Sequence, residues 1–211
     1  MMSSTRSPWS IARSLRLLAL PALAAATLAL GCESGGVGDP CVPEDEYQQE
    51  FSGYSSDEVN VESRSFQCET RVCLVNKFQG RVSCPYGQTA EDIAGEQGTS
   101  PKRCRIPGTS GERPVDQITA VVNAQLVERR ADKAVYCSCR CAGPDPNARY
   151  CECPSGFKCT ALIDDLGLGN ANLAGSYCVK DGTAGTAAIS SQTCNPNPAS
   201  PDFCGGDGAN P

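Results

Sequence analysis

The cysteine content of this chain constrains its fold more than any other feature. The sequence has 15 cysteines among 211 residues and no histidine. All but one of these cysteines follow residue 40, and they make up about 8% of residues 32–211, near the density of disulfide-stabilised scaffolds. In an oxidising compartment, thiols at this density form disulfides, each worth about 2–4 kcal/mol of stability. The sequence therefore predicts a thin apolar core held together by bridges.

Residues 1–31 have the pattern of a secretory signal. Arg6, Arg13 and Arg16 precede residues 17–30, an uncharged run rich in Leu and Ala. As a helix this run spans only about 21 Å, whereas a bilayer core is about 30 Å thick. The pattern favours a signal peptide that is removed, with a permanent membrane helix as the alternative.

The end of this segment, Ala29-Leu30-Gly31-Cys32, resembles the lipobox of bacterial lipoproteins, although that family more often has Leu where Ala29 stands. In the family the cysteine is diacylated on sulfur and the signal is cut before it. The new amino group is usually acylated as well. The resemblance implies that Cys32 becomes the first mature residue and the lipid anchor. The alternative is an ordinary thiol beside an ordinary cleavage site. With Cys32 acylated, an even number of cysteines remains for disulfides.

The resemblance also implies a location. Glu33 follows the lipidated cysteine, whereas the best-known signal for retention at the inner membrane is Asp at that position. We therefore expect a lipid-anchored protein of a Gram-negative-type cell envelope, at the outer membrane. The expected partners are the membrane, through the lipid at Cys32, and an envelope or surface protein.

The charge of the chain argues against nucleic acid as a partner. The net charge is −6, and removal of residues 1–31, with their three Arg and no acid, makes it −9. A chain this acidic favours neither nucleic acid nor electrostatic adhesion to anionic lipid. The acids concentrate in residues 33–69, where Arg64 is the only base. This concentration predicts a solvated front, and a cation-binding or basic-partner surface is the alternative.

Composition divides the chain into four segments. The signal peptide, residues 1–31, precedes a lipidated flexible tether at 32–40. A disulfide-stapled domain follows at 41–181, and a low-complexity tail at 182–211 contains a loop closed by Cys194 and Cys204. The predicted fold class is small disulfide-rich α+β, with short antiparallel hairpins, one packing helix and long loops.

The packing helix is predicted at about residues 116–130. Pro114 precedes it, Asp116 can cap it, and basic residues near its end suit the helix dipole. Its apolar stripe, read as core or alternatively as a partner-binding face, consists of Ile118, Val121, Val122 and Leu126.

Hydrophobic patterning also predicts several short elements. Residues 71–76 and 81–84 read as a hairpin, and residues 134–141 alternate with a period of two before a returning strand at 150–153. The remaining expectations are a weak strand at 59–66, a loop at 87–113 pinned by Cys104, a short helix at 160–166 and a last strand at 175–180.

The disulfide candidates are all the cysteines after Cys32. They are Cys41, Cys68, Cys73, Cys84, Cys104, Cys137, Cys139, Cys141, Cys151, Cys153, Cys159, Cys178, Cys194 and Cys204. A hairpin centred on Pro146 predicts the pairs Cys141–Cys151 and Cys139–Cys153. An odd number of cysteines lies on each side of the predicted helix before the tail, so full oxidation requires at least one bridge between the two halves.

The residue types disfavour catalysis. Without histidine the chain lacks the commonest general base and zinc ligand, and it has neither a C-x-x-C motif nor a P-loop. We predict no catalytic residue, no metal and no cofactor, and a function in binding, adhesion or structure. The alternatives are a thiolate metal-binding or redox protein that uses the C-x-C motifs, and a histidine-free envelope hydrolase built from carboxylates alone. The adjacent pair Asp164-Asp165 has no second carboxylate cluster to work with.

A second, local resemblance lies at residues 151–159. The stretch CECPSGFKC is similar to the end of an EGF-like module, in which C-x-C-P-x-G-F recurs. Cys159 comes too soon for the last EGF cysteine, and Cys178 comes late. We interpret the stretch as a disulfide-stapled hairpin that converged on this pattern, with a divergent EGF relative as the alternative. The resemblance implies no calcium site, because the acidic upstream motif is missing.

Overall fold

The computed structural model describes residues 35–95, 103–167, 173–183 and 189–205. The predicted signal segment, Cys32 and parts of the predicted tail lie outside these ranges. No helix within the described ranges is long and apolar enough to cross a membrane.

Two three-stranded antiparallel sheets organise the described residues. The first sheet has the order β1-β2-β3 and comprises Val59–Glu62, Val72–Asn76 and Val135–Ser138. The second has the order β4-β6-β5, formed by Arg140–Ala142 (β4), Gly175–Lys180 (β6) and Phe157–Ile163 (β5). The predicted last strand at 175–180 is therefore confirmed, as are the disulfide-rich character and the antiparallel sheets of the expected fold class.

The sheets form where β-branched and aromatic residues alternate between two buried faces. On β3, Val135 and Cys137 join one core cluster, whereas Tyr136 between them joins another. The second cluster brings Leu74 and Tyr136 of the first sheet against Tyr177 and Val179 of β6. The chain passes from the first sheet to the second at Cys139, whose carbonyl accepts a hydrogen bond from Cys178 N at 3.1 Å.

Helices contribute little to the described structure. The two α-helices are α1, Ala90–Ala94, and α2, Ala131–Ala134. A capping box begins α1: the Thr89 hydroxyl accepts from Asp92 N, and the Asp92 carboxylate accepts from Thr89 N. Three turns of 3₁₀ helix lie at Glu44–Tyr47, Pro114–Asp116 and Val127–Arg129. The described fold is thus mostly β, with very short helices.

Seven disulfides join all fourteen cysteines that follow Cys32. The pairs are Cys41–Cys73, Cys68–Cys137, Cys84–Cys104, Cys139–Cys151, Cys141–Cys159, Cys153–Cys178 and Cys194–Cys204. Cys68–Cys137 links the front half to the back half, as the odd cysteine counts required. Cys104 holds the long loop through Cys84.

The predicted pairs Cys141–Cys151 and Cys139–Cys153 are wrong. Residues 150–153 form no strand, so the hairpin centred on Pro146 does not exist. β4 pairs instead with β6, and the other neighbour of β6 is β5, which overlaps the segment 160–166 where a short helix was predicted. Cys151 and Cys153 therefore lie in a loop. Cys151 pairs with Cys139, between β3 and β4, and Cys153 pairs with Cys178 on β6.

The predicted packing helix at 116–130 is also wrong. Most of this segment is extended, with isolated bridges from Gln117 to Arg105 and from Val122 to Gln88. Ile118, Val122 and Leu126 are buried as expected, but Val121 is 52% exposed. A spacing of four residues fits both one helical turn and two strand repeats, so the pattern was ambiguous, and only Val121 distinguishes the two.

The second strand of the first predicted hairpin, at residues 81–84, does not form. β2 matches residues 71–76, but it pairs with β1 and β3 and not with 81–84. After β2 the backbone of Gly80 pairs with Tyr54 in both directions, at 3.0 and 2.9 Å. The weak strand predicted at 59–66 ends at Glu62.

Both ends of the described chain are bound to the body by backbone hydrogen bonds. Gly38 N donates to Cys137 O, and Cys137 N donates to Asp39 O, each at 2.8 Å, within the segment expected to be a flexible tether. In the tail, Cys194 N donates to Gln125 O at 2.8 Å. Residues 35–40 and the Cys194–Cys204 loop are therefore parts of the folded body.

We predict that the Cys68–Cys137 disulfide contributes more stability than the Cys194–Cys204 disulfide. Its ends are 69 residues apart, against 10 for the other. Loop-closure entropy then assigns about 4 kcal/mol to the first and about 3 kcal/mol to the second. Denaturant unfolding of Cys68→Ser/Cys137→Ser and of Cys194→Ser/Cys204→Ser measures both, and an equal or reversed ranking contradicts the prediction.

We also predict different costs for two neighbouring apolar residues. Ile118 is fully buried, and Ile118→Ala is expected to lower the free energy of unfolding by about 2–5 kcal/mol. Val121 is half exposed, and Val121→Ala is expected to change it by about 0.5 kcal/mol or less. Comparable losses in the same unfolding measurement would support the helix and contradict the extended segment.

Candidate binding surfaces

The cysteines of the described body are all disulfide-bonded, so none of them is a free thiol. Some disulfides lie against each other. The sulfurs of Cys139, Cys151 and Cys178 lie within 4.8 Å of one another, although Cys139 and Cys178 are not bonded together. A soft metal ion binds thiolates, which these sulfurs become only after reduction.

A groove near the front of the chain exposes two aromatic side chains. It has a volume of about 620 Å³, and we call it the Phe66 surface. Phe66 is 81% exposed and Tyr47 is 49% exposed. The groove is lined by Val42, Glu44, Tyr47, Glu62, Arg64, Phe66, Gln67 and Arg71. Exposed aromatic rings beside cationic side chains are frequent at contact surfaces.

The loop that carries Phe66 is held rigidly. Ser65 N donates to Arg71 O at 3.0 Å, and Arg71 N donates to Cys68 O at 2.9 Å. Arg71 adopts a left-handed backbone with φ of 66°, which costs energy for a residue with a side chain. The Cys68–Cys137 disulfide fixes the loop on β3, and the Arg71 guanidinium stacks 4.2 Å from the centre of the Phe66 ring.

The front of the described chain passes beside this loop. Gly35 N donates to Gln67 O at 2.8 Å, and Glu69 N donates to Gly35 O at 2.9 Å. Gly35 therefore forms a short parallel pairing across Cys68. Gly35, three residues after Cys32 in the sequence, is thus adjacent to the Phe66 loop.

Acidic groups share the Phe66 surface with Arg64 and Arg71. Glu62 accepts a hydrogen bond from Glu44 N at 3.1 Å. Burial, together with the nearby Glu44 and Asp45, raises the pKa of Glu62 above its ordinary value. The surface thus has mixed charge around an apolar centre.

A second cavity, of about 470 Å³, lies between the Val127–Arg129 turn, α2 and the end of β6. We call it the Arg129 cavity. Its lining consists of Glu128, Arg129, Lys133, Lys180, Asp181, Gly182, Thr183 and Ile189. Its volume lies in the range of small-molecule sites, which is about 300–1,000 Å³.

Arg129 is the most buried cation of this cavity, at 6% exposure. Its Nη1 donates to Thr183 O at 3.0 Å, and that carbonyl also accepts from Asn76 Nδ2. Burial lowers the pKa of Arg129, while the hydroxyl of Tyr136 and the carboxylate of Glu128 oppose this effect. Within the part of the chain that the structure describes, no carboxylate oxygen lies within 4.0 Å of its guanidinium.

Apart from these two surfaces, Glu46 and Arg81 form a fully buried polar network that stabilises the fold. Glu46 accepts hydrogen bonds from Val82 N at 2.5 Å, and from Ser83 N at 3.0 Å and Ser83 Oγ at 2.7 Å. The Arg81 guanidinium donates to the carbonyls of Glu46, Gln48 and Phe51. Burial raises the pKa of Glu46, and the hydrogen bonds oppose that rise. The network joins the Glu44–Tyr47 turn to the chain after β2.

The carboxylates considered for a hydrolase are placed in a turn. Asp164 and Asp165 follow β5, and Asp165 Oδ1 accepts a hydrogen bond from Gly167 N at 2.9 Å. Sequence reasoning missed both Phe66 and Arg129 as surface or cavity residues. Phe66 carried one signal, an isolated aromatic within the polar stretch ESRSFQ, whereas Arg129 was assigned to the end of a helix that does not form.

We predict that the buried Glu46–Arg81 network stabilises the fold strongly against loss of one member. Glu46→Gln leaves the Arg81 charge buried without its carboxylate, and the expected loss is about 3–5 kcal/mol of unfolding free energy. Glu50→Gln at an exposed position is the matched control, with an expected change of about 0.5 kcal/mol or less. Equal effects in denaturant unfolding would contradict this role.

Comparison with known proteins assigns no relative. No protein-family model, curated protein or solved structure matches this chain. Its function therefore has to be inferred from its own residues.

Proposed function

We propose that the chain is a lipid-anchored, disulfide-stabilised protein of the cell envelope that acts in binding, adhesion or structure and not in catalysis. The observation that carries the proposal is the position of Gly35 beside the Phe66 loop. Only residues 33 and 34 separate the lipobox-like Cys32 from Gly35, so the cysteine is close in sequence to an exposed aromatic surface.

Chain length sets the distance between anchor and body. Gly35 comes three residues after Cys32, and three extended residues span at most about 11 Å. Acyl chains on Cys32 would enter the hydrocarbon, with about 0.8 kcal/mol gained per buried CH₂. The part of the body nearest Gly35 then lies at the membrane surface, and the Phe66 loop is that part.

The chemistry of the Phe66 surface suits a membrane interface. Transfer of an aromatic ring that is 81% exposed from water to an apolar environment lowers the free energy. Aromatic residues also concentrate at the interface of bilayers. Arg64 and Arg71 can reach lipid phosphates while their stems cover apolar surface. The chain is acidic overall, so we propose acyl chains and Phe66 as the source of membrane affinity, with local help from these two arginines.

The residue after Cys32 supports an outer-membrane location for the proposed anchor. Glu33 in place of Asp supports the outer membrane, and an envelope or surface protein is the partner expected for the part of the body that faces away from the bilayer. Loops fixed by disulfides make such a body a rigid contact surface, because their geometry no longer depends on a large core.

The alternatives have less support. A thiolate metal-binding or redox protein needs free thiolates, and the fourteen cysteines of the body are paired. A carboxylate hydrolase needs two acids that converge on one pocket. In the Arg129 cavity, Glu128 accepts from Ser190 N, and Asp181 lies 3.7 Å from the Lys158 ammonium.

The first test addresses the anchor. The full chain, signal included, is expressed in a Gram-negative host with a radiolabelled or clickable fatty acid, next to Cys32→Ala. We expect the wild-type protein to carry acyl label in the membrane fraction and to lack residues 1–31, and Cys32→Ala to be unlabelled and to keep the signal segment. An unacylated wild-type protein, or acyl label that persists in Cys32→Ala, would contradict the proposal.

The second test addresses the orientation. The only tryptophan of the chain is Trp9, which the proposed cleavage removes, so Phe66→Trp becomes a single reporter. Leu166→Trp is the control, because Leu166 is 68% exposed but follows β5 in the other sheet. In brominated-lipid vesicles we expect quenching and a blue shift at position 66 only. Equal emission from both positions would contradict a membrane-facing Phe66.

A further inference from the structure

The Arg129 cavity contains a buried guanidinium that has no carboxylate oxygen within 4.0 Å among the described residues. Arg129 is more than nine-tenths buried, yet one carbonyl is its only hydrogen-bond acceptor among the described residues. A guanidinium has five N–H donors, and a buried charge without a partner is costly. The segment 184–188, between Thr183 and Ile189, carries no ionisable side chain that could supply the missing charge.

The rest of the lining increases this imbalance. Lys133 and Lys180 add two cations, and the acids present are Glu128 and Asp181. Asp181 already pairs with Lys158, and Glu128 is exposed and accepts from Ser190 N. With the Asp181–Lys158 pair set aside, the lining carries two more positive than negative charges.

From this geometry we infer that the Arg129 cavity is a binding site for a phosphate-class oxyanion, either free phosphate or the phosphate of a lipid headgroup. Arg129 would bind two oxygens through the free edge of its guanidinium, and Lys133 and Lys180 would act as point charges at the rim. The inference does not depend on lipidation at Cys32.

Charge and volume favour phosphate over a simple carboxylate. A carboxylate neutralises only one of the two excess charges, whereas a phosphate monoester near pH 7 carries up to two. Three cations line the cavity from the Val127–Arg129 turn, α2 and β6, and can contact separate oxygens of a tetrahedral group; one of them, the Lys180 ammonium, also donates to Asp132 O at 2.8 Å. A volume of about 470 Å³ also leaves room for a group attached to the phosphate.

The test uses the intact, oxidised chain and two probes. Inorganic phosphate is titrated by calorimetry, and sedimentation measures binding to phosphatidylcholine vesicles with and without phosphatidic acid. The vesicle measurement uses the full chain with Cys32→Ala, so that acyl chains cannot cause the binding, and binding to phosphatidylcholine alone is subtracted as the contribution of the apolar segment 17–30. Saturable binding of inorganic phosphate identifies free phosphate, whereas binding only to phosphatidic acid identifies a headgroup.

The variants test whether the cavity is responsible. Arg129→Gln is expected to abolish binding, and Lys133→Gln and Lys180→Gln are each expected to weaken it about tenfold or more. Both lysines are partly exposed, so these variants keep the test valid if Arg129→Gln fails to fold. Arg149→Gln, at an exposed position outside the cavity, makes the same change in net charge and is expected to leave affinity unchanged.

Two results would overturn the inference. One is the absence of saturable binding for both inorganic phosphate and phosphatidic acid. The other is binding that Lys133→Gln and Lys180→Gln weaken no more than Arg149→Gln does, because this would show a nonspecific charge effect. Neither result bears on acylation of Cys32, so failure here is distinguishable from failure of the proposed function.

Discussion

The disulfide between Cys68 and Cys137 is the constraint on which the described structure depends most. It is the only one of the seven bridges that joins the cysteines before residue 105 to those after residue 136. The longest described strand has seven residues and the longest described helix has five, so secondary structure alone brings little order to the chain. Bridges restrict the unfolded state and compensate for a core divided among three small clusters.

The same disulfide lies on the strand that connects the Phe66 surface with the Arg129 cavity along the chain. It fixes the loop of residues 65–71 on β3, and that loop exposes Phe66 beside the first described residues. β3 continues the chain from α2, which places Lys133 at the rim of the Arg129 cavity. Thus β3 holds the Phe66 loop through its disulfide, and the helix that precedes β3 contributes Lys133 to the cationic cavity.

Part of this architecture was predictable from the sequence, and the reasons are physical. Cysteine counts required a bridge between the halves, and β2 and β6 were recognisable as short runs that contain Val, Leu and Tyr, residues that suit a buried strand or its neighbours. The connectivity was not predictable, because fourteen cysteines allow a very large number of pairings. Equal sequence distances from Pro146 do not by themselves make a hairpin form there, so they could not select the pairs. The segment 116–130 misled because Ile118, Val122 and Leu126 recur every four residues, which fits a helix and an extended chain equally well.

The two candidate surfaces were the hardest features to predict. Exposure of Phe66 results from tertiary hydrogen bonds around Cys68. Among the described residues no carboxylate oxygen lies within 4.0 Å of Arg129, although Glu128 and Asp181 line the same cavity, and no local sequence pattern encodes this arrangement. Composition predicts an oxidising compartment, and a histidine-free, cysteine-rich, acidic chain disfavours catalysis and nucleic-acid binding. The proposal of a rigid binding protein rests on these expectations.

The central claim is that disulfides in one particular connectivity hold the body together. Non-reducing peptide mapping of native protein, alkylated before digestion, tests it most directly. The account predicts no alkylated cysteine from Cys41 to Cys204, and linked peptides that contain Cys68–Cys137 and Cys153–Cys178. Free thiols in native material, or peptides that join Cys139 to Cys153, would contradict it.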